Sequence, residues 1–232
     1  MKIKTVFFDA GETLVYRNPS LAGITFSYIK RAGSGIEYKD LNRIMAAAAL
    51  EMKTILERAK HTDGERWQIY MKKVFKKAGI KDNELLCEIK NRLKKGTSFR
   101  KYRDVLPVIA MLRKRKIKPV VISNAPYELY DILKRVKLYN EFDGIIVSEE
   151  AGFEKPDKRI FLNALKKTGA KASESIYVGD NYIADVMGAR GAGIRPVWLL
   201  RDTDNVQFTY KRARTGDNAA VIKKLTELEA LL

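Results

Sequence analysis

The chain has one histidine, His61, and one cysteine, Cys87, in 232 residues. A single thiol cannot close an intramolecular disulfide, and it fits a reducing cytoplasm. One histidine excludes histidine-based metal clusters and leaves little room for imidazole acid–base chemistry. No apolar run approaches the roughly 18 residues needed to cross a bilayer, and the N-terminus shows no signal-peptide pattern. Helix-turn-helix, zinc-finger and RNA-recognition signatures are missing too, so no dedicated nucleic-acid binding is expected. There is no internal repeat and no low-complexity segment. Acidic residues are scarce relative to basic ones, 28 against 45, which gives a formal charge of +17. Such an excess attracts anions, small phosphorylated metabolites among them. Clusters such as Arg113–Lys116 also read as solvated helix faces. With histidine and cysteine nearly absent, carboxylates, hydroxyls and lysines must carry any catalysis.

What is present is enough apolar residue, 46%, for a core, and a clear change of pattern along the chain. Val6-Phe7-Phe8 is a short aromatic and β-branched run that predicts a buried strand. It ends at Asp9, followed by the small-residue turn Ala-Gly-Glu-Thr. From Asn18 to Lys95 apolar residues recur at three- and four-residue spacing over Ser20–Arg31, Tyr38–Lys60, Glu65–Ala78 and Asn83–Lys95. Breaks fall at Gly33-Ser34-Gly35, Asp63-Gly64 and Gly79. No strand pattern intervenes, so this block predicts three or four helices. Cys87 lies on one of their apolar faces and reads as core.

From Asp104 the pattern alternates. Strands are predicted at Pro119–Ser123, Gly144–Ser148, Ser175–Gly179 and Arg195–Leu199. Helices are predicted at Val105–Arg115, Tyr127–Lys137, Asp157–Thr168, Ile183–Ala192 and Asn218–Leu231. Alternation of this kind builds a parallel sheet covered by helices on both faces. The expected fold is therefore α/β: a Rossmann-like parallel-sheet core, residues 1–16 and 97–232, with an all-helical insertion at 17–96.

Ligands bind where the strand ends of such a sheet converge. The polar residues at or just after those ends are Asp9, Ser123-Asn124, Glu154-Lys155-Pro156-Asp157, Gly179-Asp180 and then Asp185. Carboxylates, a lysine and a hydroxyl on one rim suit Mg²⁺ and phosphate. Each has a plainer reading: Asp9 and Asp180 as strand-terminating acids, Ser123 as a helix N-cap before Pro126, Asp157 as an N-cap. His61 reads as a surface or hinge residue. Arg201 and the stretch Tyr210–Arg214 read as solvated loop in preference to an anion-attracting rim.

Four segments occur in order: FFDAGETL at Phe7–Leu14, VISN at Val121–Asn124, Lys155-Pro156 within FEKPD, and VGDNYIAD at Val178–Asp185. Together they resemble the haloacid dehalogenase-like (HAD) hydrolase superfamily, with the helical insertion where the subclass I cap domain sits. The resemblance implies that Asp9 attacks phosphorus and forms an aspartyl-phosphate. It implies Mg²⁺ held by Asp9, Asp180 and the Gly11 carbonyl, with Asp185 orienting the metal waters. Ser123 and the amides of Ala10 and Gly11 would hold the phosphoryl oxygens. Lys155 would neutralise Asp9 and the phosphoryl group, Thr13 would hold the turn, and Asn124 would play a supporting part. The implied activity is a Mg²⁺-dependent, cytoplasmic phosphomonoesterase for a small phosphorylated metabolite.

One position departs from the family pattern. Phosphatases of this family usually carry a second Asp two residues after the nucleophile, as proton donor and base; here it is Gly11. Three outcomes stay open: Glu12 or a cap residue donates the proton, the leaving group needs little help, or the protein mainly binds phosphate. A 2-haloacid dehalogenase and a phosphonate hydrolase are the competing activities. Dehalogenases of the family carry an aromatic residue at the Gly11 position and lack the Gly-Asp metal pair. Substrate and oligomeric state are not readable from the residues.

Overall fold

The computed structural model describes residues 2–56, 63–94, 98–201 and 219–232. Contacts divide them into an α/β unit (2–16, 99–201 and 219–232) and a helical unit (17–98).

The α/β unit is built on a six-stranded sheet. Its strands are β1 (Thr5–Phe8), β4 (Lys118–Ser123), β5 (Gly144–Val147), β6 (Ser175–Gly179), β7 (Arg195–Leu199) and β8 (Ala220–Ile222), in the order β5-β4-β1-β6-β7-β8. Every pairing is parallel. β1 lies between β4 and β6, and its four residues are all buried. Side chains alternate across a strand, which explains the hydrophobic run. Val6 and Phe8 pack with Val121 and Val178 on one face, while Phe7 packs with Val120, Ile122 and Tyr177 on the other. The chain runs from β1 to β4 and β5 on one side, then returns to β6 on the other. The crevice at that reversal, at the C-terminal strand ends, is where an open α/β sheet accepts ligands.

Helices α5 (Val105–Lys114), α6 (Glu128–Arg135), α7 (Ser148–Ala151) and α8 (Lys158–Thr168) join these strands. Asp157 caps α8 and accepts from the Arg159 amide at 2.9 Å. Ser123 does not cap α6, which starts at Glu128 after Tyr127 without a side-chain cap.

Two stretches depart from the expected pattern. Residues 183–192 do not form one α-helix: Tyr182–Met187 is a π-helical turn, followed by α9 (Gly188–Gly191). The Asn181 side chain accepts from the Ile183 and Ala184 amides at 3.1 and 3.0 Å and starts this wider turn. The C-terminal helix is shorter than expected. Ala220–Ile222 is strand β8, paired with β7, and only Leu225–Leu231 is helical, as a 3₁₀ segment. Ala-Val-Ile meets the open edge of β7, where ladder hydrogen bonds outweigh those of an initiating helix turn. The Glu227 carboxylate then starts the helix by accepting from the Lys224 amide at 3.0 Å.

The helical unit contains α1 (Leu21–Arg31), α2 (Tyr38–Leu56), α3 (Asp63–Lys77) and α4 (Asn83–Lys94). Ser20 caps α1 through a 3.0 Å bond from the Gly23 amide. The inward stripes are Ala22, Ile24 and Ile29; Leu41, Met45 and Ala48; Met71, Val74 and Phe75; Leu85, Leu86 and Ile89. Cys87 falls off the α4 stripe and is exposed, contrary to the core reading, because Leu85, Leu86 and Ile89 already fill the inward face. Strands β2 (Val15–Asn18) and β3 (Ser98–Lys101), where the chain passes from one unit to the other and back, pair as a two-stranded sheet. Hydropathy did not mark them, since β3 buries no residue fully.

Candidate active site

The site is built from the C-terminal ends of β1, β4 and β6 and the segment before α8. Asp9 continues the β1 ladder, its amide donating to the Val178 carbonyl at 2.9 Å. Lys155 reaches it from across the rim, with Nζ 2.6 Å from Asp9 Oδ1. The same ammonium donates to Asp185 Oδ1 at 2.7 Å and lies 2.8 Å from the Tyr177 hydroxyl and 3.1 Å from the Ile122 carbonyl. The Lys155 side chain is 2% exposed, so these partners replace its water shell. Its backbone is held as firmly. The Lys155 amide donates to Asn124 Oδ1 at 2.7 Å, and Asn124 Nδ2 donates to the Lys155 carbonyl at 2.9 Å. Asn124 thus spends its side chain on the lysine segment.

Asp180 follows β6. Its carbonyl accepts from the Trp198 indole at 2.8 Å, and its Oδ1 accepts from the Thr13 hydroxyl at 3.4 Å. Asp185 is turned back toward the strand end by the π-helical turn. Its Oδ2 accepts from the Asn181 amide at 2.9 Å. Only glycine allows this approach at 179: a Cβ there would lie 2.3 Å from Asp185 Oδ2. Asp9, Asp180 and Asp185 each present a carboxylate oxygen, all within 4.8 Å of one another.

Burial among like charges raises the pKa values of the carboxyl groups. Burial raises the Asp9 pKa to about 6, with Asp185 adding to the rise and Lys155 and the Ala10 backbone opposing it. Asp180 is raised well above the carboxylate range by burial and then by Asp9 and Asp185. Burial disfavours the Lys155 ammonium, but Asp185 and Asp9 outweigh it and raise its pKa. Burial, then Asp185, hold the Tyr177 phenol neutral. Three carboxylates face one lysine, so the cluster lacks positive charge. All its donors are oxygens, which suits a hard divalent cation such as Mg²⁺.

The remaining candidates cluster nearby in the chain. Ser123 is buried at the end of β4, and Ala10 is buried beside Asp9. Gly11 is exposed, and a Cβ there would meet nothing within 4 Å. Glu12 sits in the left-handed region with φ 54°, and its Oε2 accepts from the Tyr102 hydroxyl at 2.9 Å. His61 and Tyr210–Arg214 lie outside the described residues.

Three participants were not foreseen. Tyr177 fell within the predicted strand Ser175–Gly179 and was given no role; its place two residues before Gly179, on the same side of β6, was the available signal. Trp198 likewise fell within the predicted strand Arg195–Leu199 and was given no role. Arg201 is a correction: it is 9% exposed and paired with Asp104, not part of a solvated loop.

A family profile described as haloacid dehalogenase-like hydrolase matches residues 3–193. The chain belongs to the haloacid dehalogenase-like hydrolases. It is 34% identical over 137 residues to haloacid dehalogenase-like hydrolase domain-containing protein 3 of Bos taurus, covering 57% of this chain and 55% of that protein. It is 36% identical over 101 residues to glyceraldehyde 3-phosphate phosphatase of Methanopyrus kandleri, covering 43% of each. The match thus spans about half the length of these curated relatives. Among solved structures, the HAD-hydrolase YfnB from Bacillus subtilis, bound to magnesium, superposes with TM-score 0.72 at 20% identity, covering 100% of this chain and 99% of that one. That likeness concerns the fold.

Proposed function

We propose that this HAD-like hydrolase is a Mg²⁺-dependent phosphomonoesterase acting on a small phosphorylated metabolite in the cytoplasm. The observation that carries the reading is the buried cluster in which Lys155 Nζ lies 2.6 Å from Asp9 Oδ1 while Asp180 and Asp185 offer oxygens within 4.8 Å. A carboxylate can approach a phosphate dianion only where positive charge offsets the repulsion. Lys155 supplies part of it. Asp9, Asp180 and the Gly11 carbonyl would hold Mg²⁺, with Asp185 supporting; bound there, the ion supplies Lewis-acid charge neutralisation. Phosphatase-named relatives point to the same chemistry.

In the proposed sequence an Asp9 oxygen attacks phosphorus and the ester P–O bond breaks. The leaving oxygen keeps the bonding pair and takes a proton from a water molecule. Water then attacks the aspartyl-phosphate, releasing inorganic phosphate and regenerating Asp9. Ser123 and the Ala10 and Gly11 amides would bind the phosphoryl oxygens, and Asn124 would keep Lys155 in place. The helical insertion, about residues 17–96, would act as a cap that selects the substrate.

Gly11 favours a second reading, a phosphate-binding protein with weak turnover, because no side chain there can donate the proton. Hydrolysis of p-nitrophenyl phosphate, with and without Mg²⁺, separates the two. Turnover that needs the metal and vanishes in Asp9→Asn supports the phosphatase. Phosphate binding without turnover supports the binder. Metal-independent halide release from 2-haloacids would overturn both.

A further inference from the structure

Behind the rim, Arg201 grips the turn that follows Asp9. Its Nη2 donates to the Thr13 carbonyl at 2.7 Å. Its two terminal nitrogens form a bidentate pair with Asp104, at 2.9 and 3.0 Å. Asp104 in turn accepts from the Leu225 amide at 2.8 Å, which ties the start of α5 to the C-terminal segment. The guanidinium lies 3.8 Å over the Tyr102 ring. Tyr102 completes the grip: its amide donates to the Leu14 carbonyl at 3.0 Å, and its hydroxyl donates to Glu12. Glu12, Thr13 and Leu14 are therefore each held from the same side. Thr13 is fully buried, and its hydroxyl is the group that reaches Asp180 Oδ1. The position of that hydroxyl follows the position of its own backbone, which Arg201 fixes.

We propose that Arg201, through Asp104 and Tyr102, is a positioning residue that sets the Glu12–Leu14 turn so that Thr13 orients Asp180 for the divalent cation. It touches neither substrate nor metal. The inference takes the Mg²⁺ site of the proposed function as its starting point, but it concerns metal affinity and does not depend on which substrate is cleaved. A lysine could not replace the fork, since one ammonium cannot hold both Asp104 oxygens and the Thr13 carbonyl in a plane.

The test is Mg²⁺ titration of the full chain by calorimetry, followed in parallel by tryptophan fluorescence, because Trp198 is bonded to the Asp180 carbonyl. Wild type, Arg201→Met, Arg201→Lys, Asp104→Asn, Thr13→Val and the Arg201→Met/Thr13→Val pair are compared, each with a thermal melt. Loss of an outer partner of a metal ligand weakens binding about 10–100-fold, and that is the expected effect of Arg201→Met. kcat should fall with it at fixed Mg²⁺, while the KM for p-nitrophenyl phosphate stays put. The Thr13→Val loss should be largely redundant with the Arg201 loss, because both act on one bond. If Arg201→Met does not fold, Arg201→Lys and Asp104→Asn carry the same comparison. Folded variants with wild-type Mg²⁺ affinity, or fully additive losses in the pair, would overturn the proposal. Wild-type Mg²⁺ binding without phosphatase turnover would instead overturn the proposed function alone, and weakened binding in the Arg201 variants would still support this inference.

Discussion

The two units bury different things. Among the described residues, the helical unit buries hydrophobic side chains and a single polar one, Thr25. The α/β unit buries Asp9, Lys155, Asp180, Asp185 and Arg201, all at or near the C-terminal ends of strands. Ion pairs in the helical unit, such as Lys73–Glu51 and Arg43–Asp40, are exposed, whereas Lys155–Asp9 and Arg201–Asp104 are not. A bundle held by apolar packing tolerates changes of side chain as long as volume is kept. A set of buried charges does not, because removing one partner strands the other. The difference teaches which part of the chain depends on paired charges and which on packed volume.

Breaking the charged set should have the largest effect. Asp9→Asn should lower phosphatase turnover by roughly 10⁴-fold or more, as for an essential nucleophile, measured as kcat at saturating Mg²⁺. Gly11→Asp comes next and runs the other way. The open space at Gly11 accepts a side chain, and a placed general acid is worth about 10²–10⁴-fold. Alkyl phosphates, with poor leaving groups, should gain most, and p-nitrophenyl phosphate least.

The helical unit should respond in stability only. Met45→Ala, at a position 2% exposed, should cost about 2–5 kcal/mol, read by denaturant melts, with Mg²⁺ affinity unchanged in the folded protein. Asp180→Asn should sharpen the contrast by raising the Tm of the metal-free protein a few degrees while abolishing metal binding. Its folded pKa is raised, so the protonated group favours the fold below its unfolded pKa, and that contribution is lost as pH climbs through the folded pKa. The gain from the amide should therefore grow as pH rises above the ordinary Asp range, about 4. The smallest effect belongs to Glu51→Gln. Lys77 and Lys73 hold that carboxylate down to about 2, but the group is in water, and its loss should leave Tm and kcat within scatter.

Much of this was legible because the period changes along the chain. Val6-Phe7-Phe8 fits a buried strand, and the polar residues at or soon after the strand ends, Asp9, Ser123, Lys155 and Asp180, share one rim. Distances among them were not legible, since they depend on register across β4, β1 and β6. Arg201 was misread because a lone arginine after a strand looks solvated, while its partner lies 97 residues away. β8 was hidden because Ala-Val-Ile fits a helix period as well as a strand. The π-helical turn differs from an α-turn by one residue, too little for hydropathy to register. Cys87 sat one step from an apolar stripe.

Calorimetric titration of Mg²⁺ into wild type and Asp180→Asn tests the shared-cation account most directly. The account predicts one saturable site in the wild type, lost in the variant. Absence of binding in the wild type, or equal binding in both, would contradict it.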